Sequence, residues 1–313
     1  MRSKRASRFA PIDIVHSATS RTSSGIGYIL AASVFWGTTG TAQAFAPEGA
    51  QPAVVGAARM FIGGFALLAI ALTWGRADLA SPWPKLATFG AACGVTIYQL
   101  CFFAGVAKTG VAVGTIVAIG SSPMFAGLFG WLILRERPGK RWGAATALAI
   151  LGCSLFALAG ARLRLDPVGI LAALGAGAGY AFYSVNGKRA MARHSPLAGT
   201  AVICSLAAVL LLPVLIFGNT AWLMQPRGLG VALYLGLIAT AAPYLLFARG
   251  LRTTPVAAAV TLTLAEPLTA GTLGVALLGE RLAPLTLLGV GCILGGLVVL
   301  MTGRTARVVD VTK

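Results

Sequence analysis

The chain has 313 residues, 57% of them hydrophobic and only 11% charged, with a mean hydropathy of +0.84. Soluble domains carry roughly 25% charged residues, so this composition excludes a water-soluble enzyme or binding module and points to a chain that lives in lipid. The formal net charge of +17 would suggest nucleic acid in a soluble protein; here its distribution along the chain carries the meaning.

The first 24 residues contain Arg2, Lys4, Arg5, Arg8 and Arg21 but no apolar segment of the kind a cleaved signal needs, so they are expected to be a tail, with the first span as the insertion signal. A helix rising 1.5 Å per residue needs about 20 apolar residues to cross a ~30 Å hydrocarbon core. Ten stretches qualify: 25–44, 53–74, 84–105, 111–134, 141–159, 167–189, 196–217, 227–247, 255–278 and 284–302, followed by a second tail at 303–313. No gap between them has room for a soluble domain.

Several spans carry residues that lipid alone does not explain. Span 1 has Trp36, Thr38, Thr39, Thr41 and Gln43. Span 2 has Arg59, roughly 9 Å below the outer end by helix rise, which reads either as a clamp for a substrate carboxylate or as an interfacial anchor or helix–helix tie. Span 3 has Tyr98 and Gln99; span 6 has Tyr180, Tyr183 and Asn186; span 8 has Pro243 and Tyr244. Aromatic walls with a few placed donors suit an amphipathic ligand, although Trp and Tyr also collect at membrane interfaces. Pro123 in span 4 and Pro267 in span 9 each remove an amide donor near mid-membrane, predicting kinks that either line a cavity or pack statically. Glu266 is the one acid deep in a span, and a carboxylate there costs several kcal/mol unless it faces protein or water. It reads as a proton-coupling group or a counter-charge for a substrate ammonium, or as a partner for backbone freed by Pro267.

With the N-terminus inside, 19 of the 25 Lys and Arg residues fall on the cytoplasmic side and five on the outer side, Arg59 being the remaining one. The positive-inside rule then places both termini in the cytoplasm and requires an even number of spans. The basic loops face anionic lipid. The five cysteines, Cys93, Cys101, Cys153, Cys204 and Cys292, all lie within spans without CxxC spacing and read as small buried hydrophobes. GxxxG spacings at Gly139/Gly143 and Gly291/Gly295 predict close helix contact, internal or between copies, and nothing requires a homodimer.

Shifted by 144 residues, 108–138 aligns with 252–282 without a gap and with eight identities: Thr109/Thr253, Pro123/Pro267, Ala126/Ala270, Gly127/Gly271, Gly130/Gly274, Leu134/Leu278, Glu136/Glu280 and Arg137/Arg281. The same offset lays Phe103-Ala104 on Phe247-Ala248, Trp36 on Tyr180, and five spans on five. Because five is odd, the second half must enter the membrane inverted, an arrangement of secondary transporters with a midplane site between the halves. The expected fold is thus all-α, ten transmembrane helices as two five-helix inverted repeats, 25–160 and 167–302, with both termini cytoplasmic.

Ser121-Ser122-Pro123 followed by Glu136-Arg137, and Ala265-Glu266-Pro267 followed by Gly279-Glu280-Arg281, resemble the drug/metabolite transporter superfamily, EamA type, and its YddG-like amino-acid exporters. The resemblance covers residues 25–302. It implies a bacterial inner-membrane exporter in which helices 1–4 and 6–9 surround a central cavity and helices 5 and 10 pack to one side. Arg135 stands where the second half has Gly279, which predicts a looser first-half turn.

The expected function is export of small metabolites, foremost amino acids, by alternating access, with a small-molecule substrate and membrane lipid as partners, no nucleic acid, no metal and no cofactor. Trp36, Thr39, Gln43, Arg59, Tyr98, Gln99, Tyr180, Tyr183, Asn186, Tyr244 and Glu266 are the expected substrate-binding residues, with Pro123 and Pro267 as kinks. Drug or sugar carriage remains open, but no Lys lies deep in a span, which disfavours phosphosugars. An intramembrane lipid enzyme would need a cluster of His, Asp, Glu or Ser at a membrane face, and a ligand sensor a soluble output domain. His16 and His194 lie in a tail and a loop, and no HExxH, Walker A or GxSxG motif occurs.

Overall fold

Apolar runs bounded by prolines, glycines and short polar joints fold as helix wherever the computed structural model describes the chain, which is residues 12–74, 76–158, 166–278 and 283–302. The basic residues of 1–11 and 303–313, Arg162, Arg164 and the motif Gly279-Glu280-Arg281 lie outside the described residues. In chain order the helices are α1 (Ile12–Gly37), α2 (Thr39–Ala44), α3 (Pro52–Trp74), α4 (Arg76–Leu79), α5 (Lys85–Thr109), α6 (Val111–Leu134), α7 (Lys140–Leu158) and α8 (Pro167–Ala190). They continue as α9 (Pro196–Leu210), α10 (Leu212–Phe217), α11 (Pro226–Leu233), α12 (Ala242–Leu251), α13 (Val256–Leu262), α14 (Glu266–Leu278) and α15 (Pro284–Met301). No strand occurs among the described residues.

Among the described residues, seven helical segments are long and apolar enough to cross a membrane: Pro52–Trp74, Lys85–Thr109, Val113–Leu134, Pro167–Ala190, Pro226–Leu251, Val256–Leu277 and Pro284–Met301. The chain is therefore an all-α, multi-pass membrane protein. The other three expected spans are helical as well, as α1 with α2, α7, and α9 with α10, but are not among those seven. Helix α1 begins at Ile12, inside the stretch expected to be tail, since no proline or glycine interrupts residues 12–24.

Local chemistry sets several bounds. Asp166 caps α8 by accepting from the Gly169 amide at 2.8 Å, with Pro167 in the first turn and Lys188 and Arg189 in the last, where cations suit the helix dipole. Ser195 caps α9 by accepting from the Ala198 amide at 3.2 Å. The turn after α6 is tight rather than loose. Arg135 adopts φ 59° and ψ 18°, the left-handed conformation expected of glycine, and the Glu136 amide donates back to the Gly130 carbonyl at 3.1 Å. An arginine held there costs roughly 1–2 kcal/mol.

The membrane prolines behave differently from one another. Ahead of Pro267 the helix tightens to a 3₁₀ turn at Thr263–Ala265, beginning at the residue whose carbonyl the proline ring frees. Ahead of Pro243 it widens to a π-helix at Tyr234–Ala241, which again contains the freed carbonyl, at Ala239. Pro123 lies inside an uninterrupted α6, where the Ser121 and Ser122 hydroxyls donate to the Ala118 carbonyl at 3.3 and 2.7 Å.

Small residues let the helices approach closely. A methyl added at Gly152 of α7 would stand 2.6 Å from the Gly289 carbonyl oxygen and 2.7 Å from the Ile293 amide nitrogen; one at Gly296 of α15 would stand 2.7 Å from the Ala145 oxygen and 3.0 Å from the Ala149 nitrogen. Each of these positions has its counterpart 144 residues away, so the two contacts are mirror versions of each other, and they run antiparallel. The GxxxG residues singled out in the sequence do not make this seam: Gly139, Gly143 and Gly291 have no neighbour within 4 Å of an added methyl, and Gly295 meets only a Leu148 side chain at 3.2 Å. The true seam lies on adjacent faces of the same helices. In the same way Gly94 of α5 abuts the Tyr183 backbone of α8, and Gly64 of α3 abuts Cys204 of α9, where the Ser205 hydroxyl donates to the Gly64 carbonyl at 3.0 Å.

Candidate functional site: an aromatic cluster and a tied end

Four helices converge their aromatic side chains on one place. Trp36 at the end of α1 meets Tyr180 edge-on at 6.2 Å and Tyr244 edge-on at 5.6 Å, and tilts on Phe247 at 5.6 Å. Tyr180 contacts Tyr98 of α5 at 5.6 Å and Tyr183 at 6.0 Å, and Tyr183 contacts Tyr244 at 5.5 Å. These separations are in the favourable range for aromatic pairs. Every aromatic residue expected at the site is therefore in one connected cluster. Phe247, fully buried at its centre, was not expected; its only signal was the repeat partner Phe103.

Polar groups without complete partners border this cluster. Arg59 of α3 donates from Nη2 to Gln99 Oε1 at 3.1 Å, and Gln99 donates from Nε2 to the Gly56 carbonyl at 3.2 Å, so Arg59 does tie α3 to α5. Its Nε, however, is buried with no hydrogen-bond partner, as are the hydroxyls of Thr39 and Tyr180. The nearby Thr263 hydroxyl is turned to the Val260 carbonyl at 2.7 Å. Buried polar groups are nearly always paired, so the orphaned Arg59 Nε beside Tyr98 and Tyr244 is a donor open to a ligand.

Glu266 opens α14, directly after the 3₁₀ turn, and is half-buried within electrostatic reach of Arg59, Tyr98, Tyr180 and Tyr244. It forms no ion pair with Arg59 and no side-chain hydrogen bond among the described residues, the backbone freed by Pro267 included. A cation and an anion thus stand beside the same ring cluster without neutralising each other through contact.

One expected residue stands apart. Asn186 donates to the Phe182 carbonyl of its own helix at 3.0 Å and lies against Gly90 of α5, beyond the ring cluster. Gln43 is half-buried in α2 and makes no side-chain hydrogen bond among the described residues.

A second constellation gathers at the end of the bundle carrying the basic loops. Lys188 at the end of α8 donates to Glu136 Oε1 and to the Thr254 carbonyl, each at 2.8 Å, while Glu136 Oε2 accepts from the Val256 amide at 2.7 Å, satisfying the first turn of α13. Asp78 of α4 meets His194 Nδ1 at 2.9 Å and accepts from the Ser195 amide at 2.7 Å, and His194 stacks on Trp83 with ring centroids 3.7 Å apart. Burial pushes the Asp78 carboxyl up, but the bonds from Ser195 and His194 outweigh it and hold the group below its ordinary value.

The model of the EamA-like transporter family matches the chain twice, at residues 23–158 and 167–302. An uncharacterized transporter of Bacillus subtilis, YwfM, is 47% identical over 273 residues, covering 87% of this chain and 92% of its own length. The threonine/homoserine exporter RhtA of Escherichia coli is 37% identical over 152 residues, 47% of this chain and 50% of RhtA. A solved crystal structure is similar in fold, with a TM-score of 0.77 at 23% identity over 88% of this chain and 96% of the other.

Proposed function

This chain belongs to the EamA-like transporter family, and on that premise we propose that it exports amino acids across the bacterial inner membrane, recognising them as zwitterions in the aromatic chamber. The observation that carries the reading is Arg59, whose Nε has no partner, and Glu266 standing beside one ring cluster with no ion pair between them. The Arg59 guanidinium takes the substrate carboxylate through Nε and its remaining donors, oriented by Gln99. Glu266 takes the ammonium, and Trp36, Tyr98, Tyr180, Tyr183 and Tyr244 pack the side chain. The half-length similarity to a threonine/homoserine exporter supports an amino-acid cargo, and the aromatic walls favour hydrophobic and aromatic ones as well.

The chamber lies between ten spans in two inverted five-helix halves with both termini cytoplasmic. The mirrored Gly152 and Gly296 contacts and the paired family matches support this arrangement. Alternating access then requires the Glu136–Lys188 tie, which joins residues of the two halves at the basic end, to form when that end closes and break when it opens. The test is purified protein in liposomes loaded with a panel of labelled amino acids. Efflux faster than from empty liposomes, lost in Glu266→Gln and impaired in Tyr98→Ala, supports the reading; a panel that crosses no faster than in empty liposomes refutes it.

A further inference from the structure

At the basic end, beside the Asp78–His194 contact, the surface carries a cleft of about 540 Å³ lined by Trp74, Asp78, Arg193, His194, Ser195 and Arg252. Two arginines outnumber the one carboxylate in its lining. The Asp78 carboxylate is committed, one oxygen to His194 and the other to the Ser195 amide. Arg193 and Arg252 are exposed and make no hydrogen bond or ion pair to any described residue. Two free guanidiniums facing one cleft form an anion site, and guanidinium geometry suits the oxygens of a phosphate. Trp74 fixes the depth: it ends α3, an apolar membrane helix of 23 residues, and the residue is 84% exposed. An indole so exposed at the end of a membrane helix belongs at headgroup level.

We propose that this cleft binds the phosphodiester headgroup of an anionic phospholipid. A zwitterionic headgroup would bring its own cation against Arg193 and Arg252, so the site discriminates by headgroup charge. Its walls come from both halves of the chain, Trp74 and Asp78 from the first and Arg193 to Ser195 with Arg252 from the second. An occupant therefore bridges the halves at the end where Glu136 and Lys188 also join them.

The full-length protein in detergent is titrated with phosphatidylglycerol and with phosphatidylcholine, and bound lipid is counted by native mass spectrometry. A single tightly held phosphatidylglycerol is expected, preferred over phosphatidylcholine, with retention in the double variant Arg193→Ala/Arg252→Ala reduced about thirty-fold, as for two basic side chains near an anionic headgroup. The control Lys140→Ala/Arg189→Ala removes the same charge from the same end outside the cleft and is expected to stay within about twofold of the parent. Equal retention of the two lipids, or an equal loss in the control, overturns the site in favour of diffuse attraction. Calorimetry with inorganic phosphate is the second arm: Arg193- and Arg252-dependent binding as tight as that of the lipid overturns the lipid assignment in favour of a soluble phosphate.

Discussion

Removing the Glu136 side chain should loosen the basic end of the protein and leave the rest of the fold in place. In Glu136→Ala the Lys188 ammonium keeps only the Thr254 carbonyl, and the Val256 amide at the start of α13 loses its acceptor. Hydrogen bonds to charged groups contribute roughly 1.5–3 kcal/mol and a lost helix cap about 1. The side chains of Lys188 and Glu136 are 23% and 22% exposed, so screening trims the ionic part, leaving an expected loss of about 2–4 kcal/mol. If the tie exists only when this end is closed, the closed-to-open ratio falls by about thirty-fold to several-hundred-fold. The assay is maleimide labelling of a single cysteine at Thr254, a buried position on the tie, in a chain whose five natural cysteines have been replaced. Labelling should accelerate at least tenfold on adding Glu136→Ala, in line with the lower end of that range. A double-mutant cycle of Glu136→Gln with Lys188→Met, read by thermal unfolding in detergent, should show coupling of about 1–2 kcal/mol. Unchanged labelling together with strict additivity would refute the tie.

Gln99→Ala removes the acceptor that orients Arg59; amino-acid KM in liposomes should rise about tenfold with kcat kept, and a fall in kcat at unchanged KM would contradict a positioning role. The Asp78 carboxyl sits below its ordinary value, so its contact with His194 and Ser195 contributes stability above about pH 4 that fades as pH falls through the lower folded value. The melting difference between the parent and Asp78→Asn should accordingly be largest near neutrality and shrink steadily as pH falls below about 4; a difference that stays constant or grows on acidification would count against this linkage. Gly94→Ala puts a methyl 2.5 Å from the Tyr183 amide nitrogen, where backbone cannot yield, and should cost about 1–3 kcal/mol in melting, whereas Gly143→Ala meets nothing and should be neutral or slightly stabilising. Equal melting of the two variants would show that the α5–α8 approach is not the one described.

The parts of this protein legible in the sequence are those where the membrane makes a residue expensive. Arg59, Glu266 and the tyrosines stand out against apolar spans, and five of the expected aromatics do meet in one cluster. Phe247 went unnoticed because a phenylalanine in a span looks like any lipid-facing side chain. Asn186 looked equally polar, yet a short amide can satisfy itself on the carbonyl one turn back, and it does. The Glu136 motif was visible, but its partners Lys188 and Val256 lie 52 and 120 residues away, a pairing that no local pattern encodes. GxxxG spacing pointed to the right helices, α7 and α15, but not to the face by which they meet each other, because glycine spacing does not say which neighbour fills the groove. The turn at Arg135 shows tertiary contacts overriding a local preference: the Glu136 ties hold an arginine in a conformation suited to glycine.

Substrate charge tests the zwitterion reading most directly. Counterflow in liposomes should be compared for one labelled amino acid, its decarboxylated amine and its N-acetyl derivative. The amino acid should exchange, while each analogue, lacking the partner of Arg59 or of Glu266, should be slower by at least about tenfold, the cost of one charged group left unpaired in the chamber. Analogues that exchange as fast as the parent amino acid would contradict recognition by that pair.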